Sequence, residues 1–199
     1  MINEMILTAG PSITEKEISY VTDAVTNGWN NDWNKYLIKF EKSFSEYIGV
    51  KHSLSTSSCT GALHLAMLAC GIGPGDEVII PEITWVASAS AVAYVGATPV
   101  FCDIDPVSWC MDLSSVERLV TSKTKAIMPV HLYGHPANMP AIMKFARANN
   151  RLVLRLMVKK QEVLEMLQVL VFKVLKFYLL VKAACLYRIM MKFSLVLSR

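Results

Sequence analysis

Two short segments carry residues whose types and spacing suit an anionic, planar ligand. The first is Ser57-Ser58-Cys59-Thr60-Gly61. Small residues ahead of an apolar helical pattern leave backbone N–H groups free at the helix start, where the helix dipole favours negative charge. Hydroxyls at Ser57, Ser58 and Thr60 add donors. The same residues equally suit ordinary N-capping. The second segment, Pro81-Glu82-Ile83-Thr84-Trp85, follows the apolar run Val78-Ile79-Ile80. A tryptophan just past a strand end can cover a planar ring, or it can be a core side chain at a helix start. His131 and His135 stand four apart, a metal-sharing spacing on a helix, but Gly134 and Pro136 beside them break that geometry, so no metal is expected. His52 and His64 read as structural, and Asp103 and Asp105 as caps or surface groups at a strand end.

The elements that must position these residues are readable from periodicity and punctuation. Thr14-Glu15-Lys16-Glu17 is a capping box, with Ile18, Val21 and Val25 on one helical face and Asn27-Gly28 as the stop. A second helix runs from Asn34, with Leu37, Phe40, Phe44 and Ile48 at helical spacing. A short strand is predicted over 51–55, then a helix from the Ser-Cys-Thr segment with Leu63, Met67 and Cys70 on its apolar face. Beyond the Gly-rich turn at 71–77 the pattern alternates: strand 78–80, helix 85–95, strand 98–102, helix 113–120, strand 124–130, helix 139–148, and a strand opening at Leu152. Short, nearly continuous apolar strands between helices predict an α/β fold, a mostly parallel sheet covered by helices on both faces. Ligands in such sheets bind outside the carboxyl ends of the strands.

Composition narrows the classes. The chain has 199 residues, 53% hydrophobic and 18% charged, enough apolar residues for a large core and no signature of disorder. No uncharged apolar run reaches the ~18–20 residues of a membrane span, and the acidic, polar N-terminus is unlike a signal peptide. Five scattered cysteines without a C-x-x-C pair read as reduced thiols of a cytoplasmic protein. The net charge of +4 hides a split. Residues 1–150 hold ten Lys/Arg against fourteen Asp/Glu, and 151–199 hold ten Lys/Arg against two Glu. All nine glycines and eight prolines fall in the first part, while the remainder is basic and Leu-rich. Such a tail suits a membrane surface or an acidic partner; no nucleic-acid partner is expected.

Taken in order, the segments GWNNDWNKYLIKFE, TSSCTGALHLAML, GIGPGDEVIIPEITWVASASAV, GATPVFCDID and TKAIMPVHLYGHPANM resemble the DegT/DnrJ/StrS family of nucleotide-sugar aminotransferases, and within it the perosamine synthase branch. The likeness covers residues 5–154. It implies the large domain of a fold-type-I aminotransferase, truncated, a homodimer with sites at the subunit interface, and pyridoxal 5'-phosphate as cofactor. By resemblance, Cys59 and Thr60 stand where the family binds the cofactor phosphate, with Ser58 beside them. Cys59 and Ser58 replace the family's usual Gly and Asn. Trp85 matches the aromatic residue that stacks on the pyridine ring, and Trp29 and Asn30 lie in a loop that approaches the sugar nucleotide. The implied reaction moves an amino group from glutamate to the keto group of a nucleotide-linked deoxysugar, for O-antigen or other polysaccharide synthesis. A related dehydratase, which uses a His in place of the lysine, is the second enzymatic reading.

The family's reactive lysine and the aspartate that holds the pyridine nitrogen protonated should follow the Leu152 strand. The chain instead reads Arg155-Leu156-Met157-Val158, and neither family motif appears after it. The genetic code offers an account. Joining the last base of each codon to the first two of the next, Gln161 through Leu167 permits G-S-F-G-D-A, and Val169 through Ala184 permits F-S-F-Q-G-A-K-I-L-L-T-G-E-G-G, the family's lysine segment. The lysine codon then straddles Leu175 and Lys176, so Lys176 itself is not the reactive lysine. The expectation is a partial aminotransferase domain over 1–154 and a frameshifted, helical or disordered tail over 155–199, with no catalytic residue in the chain. The competing reading is a non-catalytic protein whose basic tail docks on a membrane or an acidic partner.

Overall fold

The computed structural model describes residues 13–156 and 169–172, which fall into two compact units, one ending at Phe40 and one starting at Glu41. In the first, α1 (Glu15–Asn27) opens with the expected capping box: the Thr14 hydroxyl accepts the Lys16 N–H, and the Glu17 carboxylate accepts the Thr14 N–H at 2.7 Å. It stops at Gly28, whose N–H donates to the Ala24 carbonyl at 3.0 Å. A Cβ at position 28 would lie 2.4 Å from that carbonyl oxygen, so only glycine fits. A 3-10 turn (Asn30–Asp32) leads into α2 (Lys35–Ile48), which runs through the unit boundary. The two helices meet through polar and aromatic groups. Asp23 accepts from the Tyr36 hydroxyl, from Asn27 Nδ2 at 2.9 Å and from Lys35 Nζ at 3.2 Å. Tyr20 packs edge-on against Tyr36 with Lys39 Nζ 4.7 Å from its ring centroid. The apolar stripe Ile18, Val21 and Val25 is exposed among the described residues, because that contact uses another side of α1.

The second unit is the sheet. Its strands are β1 (Glu77–Pro81), β2 (Thr98–Cys102), β3 (Thr124–Ile127), β4 (Leu152–Leu156) and β5 (Val169–Phe172), in the order β2-β1-β3-β4-β5. The first four are parallel; β5 adds antiparallel to β4. Helices α3 (Cys59–Ala69) and α4 (Ala87–Tyr94) cover one face, and α5 (Leu113–Leu119) and α6 (Met139–Ala148) the other. The apolar runs explain why both faces need cover. Val78, Ile80, Ala126 and Leu154 point into the α3/α4 core, while Ile79, Ile127 and Val153 point into the α5/α6 core. The architecture is therefore the expected mostly parallel α/β sheet.

Two local expectations are corrected. Residues 51–55 form no strand; they run extended without a ladder partner among the described residues. Val169–Phe172, expected helical or disordered with the rest of the tail, is a strand. Its Val-Leu-Val-Phe run has no charge and high β-propensity, and the outer edge of β4 offers unpaired backbone groups. The remainder of the 155–199 tail after Leu156 lies outside the described residues.

Candidate cofactor-phosphate site

The strand order reverses at β1: the chain moves through α4 to β2 on one side, then through α5 to β3 on the other. The crevice at the carboxyl ends of β1 and β3 is thus the switch point where open parallel sheets bind ligands. Helix α3 joins the amino end of β1 through the short turn at 71–76, so its N-terminus stands over that same carboxyl edge. Cys59 is packed in one core with Ile80 and Met128, which ties the start of α3 to the ends of β1 and β3.

At that start Ser58 is the N-cap, in extended conformation, its Oγ accepting the Gly61 N–H at 3.1 Å. A Cβ on Gly61 would meet Ser58 Oγ at 3.3 Å, so glycine keeps the turn open. The backbone N–H groups of Cys59 and Thr60 have no partner among the described residues, as the first N–H groups of a helix lack an intrahelical acceptor. The Cys59 side chain is 3% exposed. Burial pushes its thiol up to about 11, so it stays protonated at neutral pH and only its backbone faces the crevice. Its Cβ is packed in the core, so the side chain that replaces the family's glycine leaves the N–H groups uncovered. Capping and anion binding are compatible here, because Ser58 satisfies one donor and leaves two.

Trp85 lies in the loop between β1 and α4, 79% exposed, with its carbonyl accepting the Ser88 N–H at 3.0 Å. The alternative of a core tryptophan is therefore excluded. Trp29 belongs to the first unit; its Nε1–H donates to the Val25 carbonyl at 2.7 Å, and the indole is 68% exposed. Asn30 begins the 3-10 turn beside it. The segment 53–58 is tied to α2: Glu41 Oε1 accepts both the N–H and the hydroxyl of Ser55 at 2.7 Å, and the Glu41 carbonyl accepts the Ser53 hydroxyl. Sequence reasoning missed this tether, and it weighed His131 only as half of a metal pair. That side chain is buried just past β3, its Nδ1 accepting the Ala137 N–H at 3.0 Å, which puts the ring proton on Nε2. Tyr133 is left-handed at φ 48° and exposed. His64 packs edge-on against Tyr94, a structural contact as expected. Among the described residues no cluster of three His, Cys, Asp or Glu side chains can hold a metal ion. No helix among them is long and apolar enough to cross a membrane.

Known proteins share this sequence and this fold. Residues 11–155 match the sequence profile of the DegT/DnrJ/EryC1/StrS aminotransferase family. The GDP-perosamine synthase of Caulobacter vibrioides is 46% identical over 149 residues, 75% of this chain and 40% of that protein. The GDP-perosamine synthase of Escherichia coli O157:H7 is 46% identical over 144 residues, 72% of this chain and 40% of its own length. Among solved structures, an aminotransferase from Psychrobacter cryohalolentis superposes with a TM-score of 0.69 at 37% identity, covering 73% of this chain and 37% of the other. The Bacillus subtilis protein NtdA, solved with the cofactor PMP bound, gives a TM-score of 0.63 at 34% identity over 70% of this chain and 32% of its own. The chain spans about two-fifths of the length of the curated relatives it matches.

Proposed function

Because this chain belongs to the DegT/DnrJ/EryC1/StrS family of pyridoxal-phosphate-dependent sugar aminotransferases, we propose that it carries the phosphate-binding part of such an enzyme and lacks the reactive part. The intact ancestor moves an amino group from glutamate to the keto carbon of a GDP-linked deoxysugar, for polysaccharide synthesis in the cytoplasm, as a homodimer. The likeness to two GDP-perosamine synthases supports the choice of sugar. The observation that carries the reading is the start of α3 at the sheet's switch point, with two N–H groups that have no partner among the described residues beside a capping serine.

The fit to the cofactor is partial. The Cys59 and Thr60 N–H groups and the Thr60 hydroxyl suit its phosphate, Ser58 holds the turn that presents them, and exposed Trp85 offers a flat face to its ring. Trp29 and Asn30 are assigned to the sugar nucleotide. Pyridoxal phosphate supplies an electron sink, for which an intact enzyme provides a covalently bound lysine and an aspartate at the ring nitrogen. After β4 this chain has Arg155-Leu156-Met157-Val158 in place of the aspartate segment, and the lysine segment is absent from the chain as read but permitted by a shifted frame. The reactive end does not fit, and the chain is an inactive remnant. A loss of bases not divisible by three, between the codons of Leu154 and Met157, accounts at once for the missing aspartate, the altered frame and the basic tail.

Two measurements test this. The nucleotide sequence of the locus should encode the remaining half of an aminotransferase in the other frame; a downstream region encoding none removes the frameshift account. Purified chain treated with pyridoxal phosphate and borohydride should retain no stoichiometric label. A label fixed on one lysine would overturn the claim of inactivity. Salt-sensitive binding of anionic vesicles by the full chain would instead favour the docking role of the tail.

A further inference from the structure

Residues 51–57 lead into the anion cradle without a strand ladder among the described residues, and one residue of α2 supplies the missing restraint. Both Ser55 donors converge on Glu41 Oε1 at 2.7 Å, and the Ser53 hydroxyl donates to the Glu41 carbonyl. The Thr56 hydroxyl then donates to the Ser58 carbonyl at 3.0 Å, and Ser58 Oγ accepts the Gly61 N–H at 3.1 Å. These bonds, with the backbone of residues 55–58 between them, lead from α2 to the first turn of α3. We infer that Glu41 is a positioning residue for the anion cradle: it fixes the extended segment whose far end aims the Cys59 and Thr60 N–H groups. This rests on the reading of the α3 start as a phosphate site.

The geometry asks for an oxygen acceptor at this point, not for a charge. Two donors meet one carboxylate oxygen, and a glutamine carbonyl can take both. A negative charge near an anion site works against binding, so glutamine should serve as well or better. Alanine leaves the Ser55 donors unpaired, and the segment loses its anchor.

The test uses the full chain with inorganic phosphate and, separately, pyridoxal 5'-phosphate as probes, together with amide hydrogen exchange. Glu41→Ala should weaken phosphate binding about tenfold, less than the full loss of two hydrogen bonds to a charged acceptor would give, because the tether reaches the cradle only through the 55–58 segment. It should also speed exchange at Ser55 and Gly61 while leaving Ile127 and Val153, at the sheet centre, unchanged. Glu41→Gln should bind within about threefold of the parent, and Ser55→Ala, which keeps the N–H bond, should fall between the two. Phosphate affinity of Glu41→Ala within twofold of the parent overturns the assignment, as does a glutamine variant that fails like alanine. If Glu41→Ala does not fold, Ser55→Ala decides, and unchanged affinity there counts against the role. If the parent binds neither probe, the site reading fails and the positioning role with it. Faster Ser55 exchange in Glu41→Ala would then mark a tether without a cradle.

Discussion

Replacing Ser58 with aspartate separates helix capping from anion binding. Ser58 Oγ stands 3.1 Å from the Gly61 nitrogen, and an aspartate oxygen at that point makes the same bond. Asp ranks with Ser as an N-cap, and its charge complements the helix dipole by about 0.3–1 kcal/mol. The thermal midpoint should therefore hold or rise. An anion on the Cys59 and Thr60 N–H groups would sit about 5 Å from the new carboxylate. At an effective dielectric of about 20, two like unit charges at that distance repel by about 3 kcal/mol. Salt screening of a half-exposed site reduces this to about 1.5–3 kcal/mol, or about 10–150-fold in affinity. Ser58→Ala is the converse. It loses a cap worth about 1 kcal/mol, a fall of about 2–4 °C in midpoint for a chain of this size, and adds no charge, so phosphate affinity should fall by about fivefold at most as the first turn loosens. Circular dichroism melting and titration with phosphate, followed by tryptophan emission, read both quantities. A Ser58→Asp protein with an intact midpoint and phosphate affinity within twofold of the parent would refute the placement of the anion.

Further predictions concern the ring face, the cores and the polar clasp. Trp85→Ala should leave the melting midpoint within about 1 °C, because the indole is exposed, yet weaken pyridoxal phosphate binding by about 0.5–1.5 kcal/mol, measured by titration. Met67→Ala, at a fully buried position of α3, should cost about 2–5 kcal/mol in denaturant unfolding. Gly96 has φ +75° and a Cβ there would lie 3.0 Å from Pro74 Cγ, so Gly96→Ala should destabilise by more than about 1 kcal/mol in the same assay. Hydrogen bonds from Tyr36, then Asn27 and Lys35, hold the Asp23 carboxyl at about 2, below its ordinary 3.8. That stabilisation is present above pH 3.8 and lost as pH falls toward 2. Burial, then the bond to Asp23, pushes the Tyr36 hydroxyl from 10.0 up to about 12, so its contribution is present below pH 10 and lost as pH rises toward 12. Asp23→Asn should flatten the acid limb of a pH–stability curve; an unchanged limb would remove Asp23 from the clasp.

The parts of the fold legible in the sequence are those fixed by local chemistry. Strand β2 and helix α6 match their predicted bounds, because Gly96 and Asn138 mark their starts in ways few other residues can. The switch from two-faced apolar strands to capped helices was enough to place the sheet and the start of α3. What could not be read depends on distant partners. Residues 51–55 follow the helix stop at Gly49 as a strand would, yet a strand exists only where a neighbour completes its ladder. Their actual partner, Glu41, lies on a helix 14 residues before Ser55. Trp85 illustrates the same limit: its position past β1 was clear, but its exposure follows from how the β1–α4 loop folds. The outward-facing stripe of α1 has the same cause, since periodicity names a face and not what covers it.

The pairing of β5 with β4 bears on how such sheets are made. On the proposal above, Val-Leu-Val-Phe at 169–172 was never selected as a strand, yet it pairs along β4 from Val153 to Leu156. A central edge that accepts a foreign strand is unselective toward backbone. During synthesis on a ribosome, β4 emerges before whatever follows it, and in that interval any extended apolar segment can dock there. On the same proposal, a frameshift upstream of the next native strand leaves the β4 edge to whichever extended segment follows it.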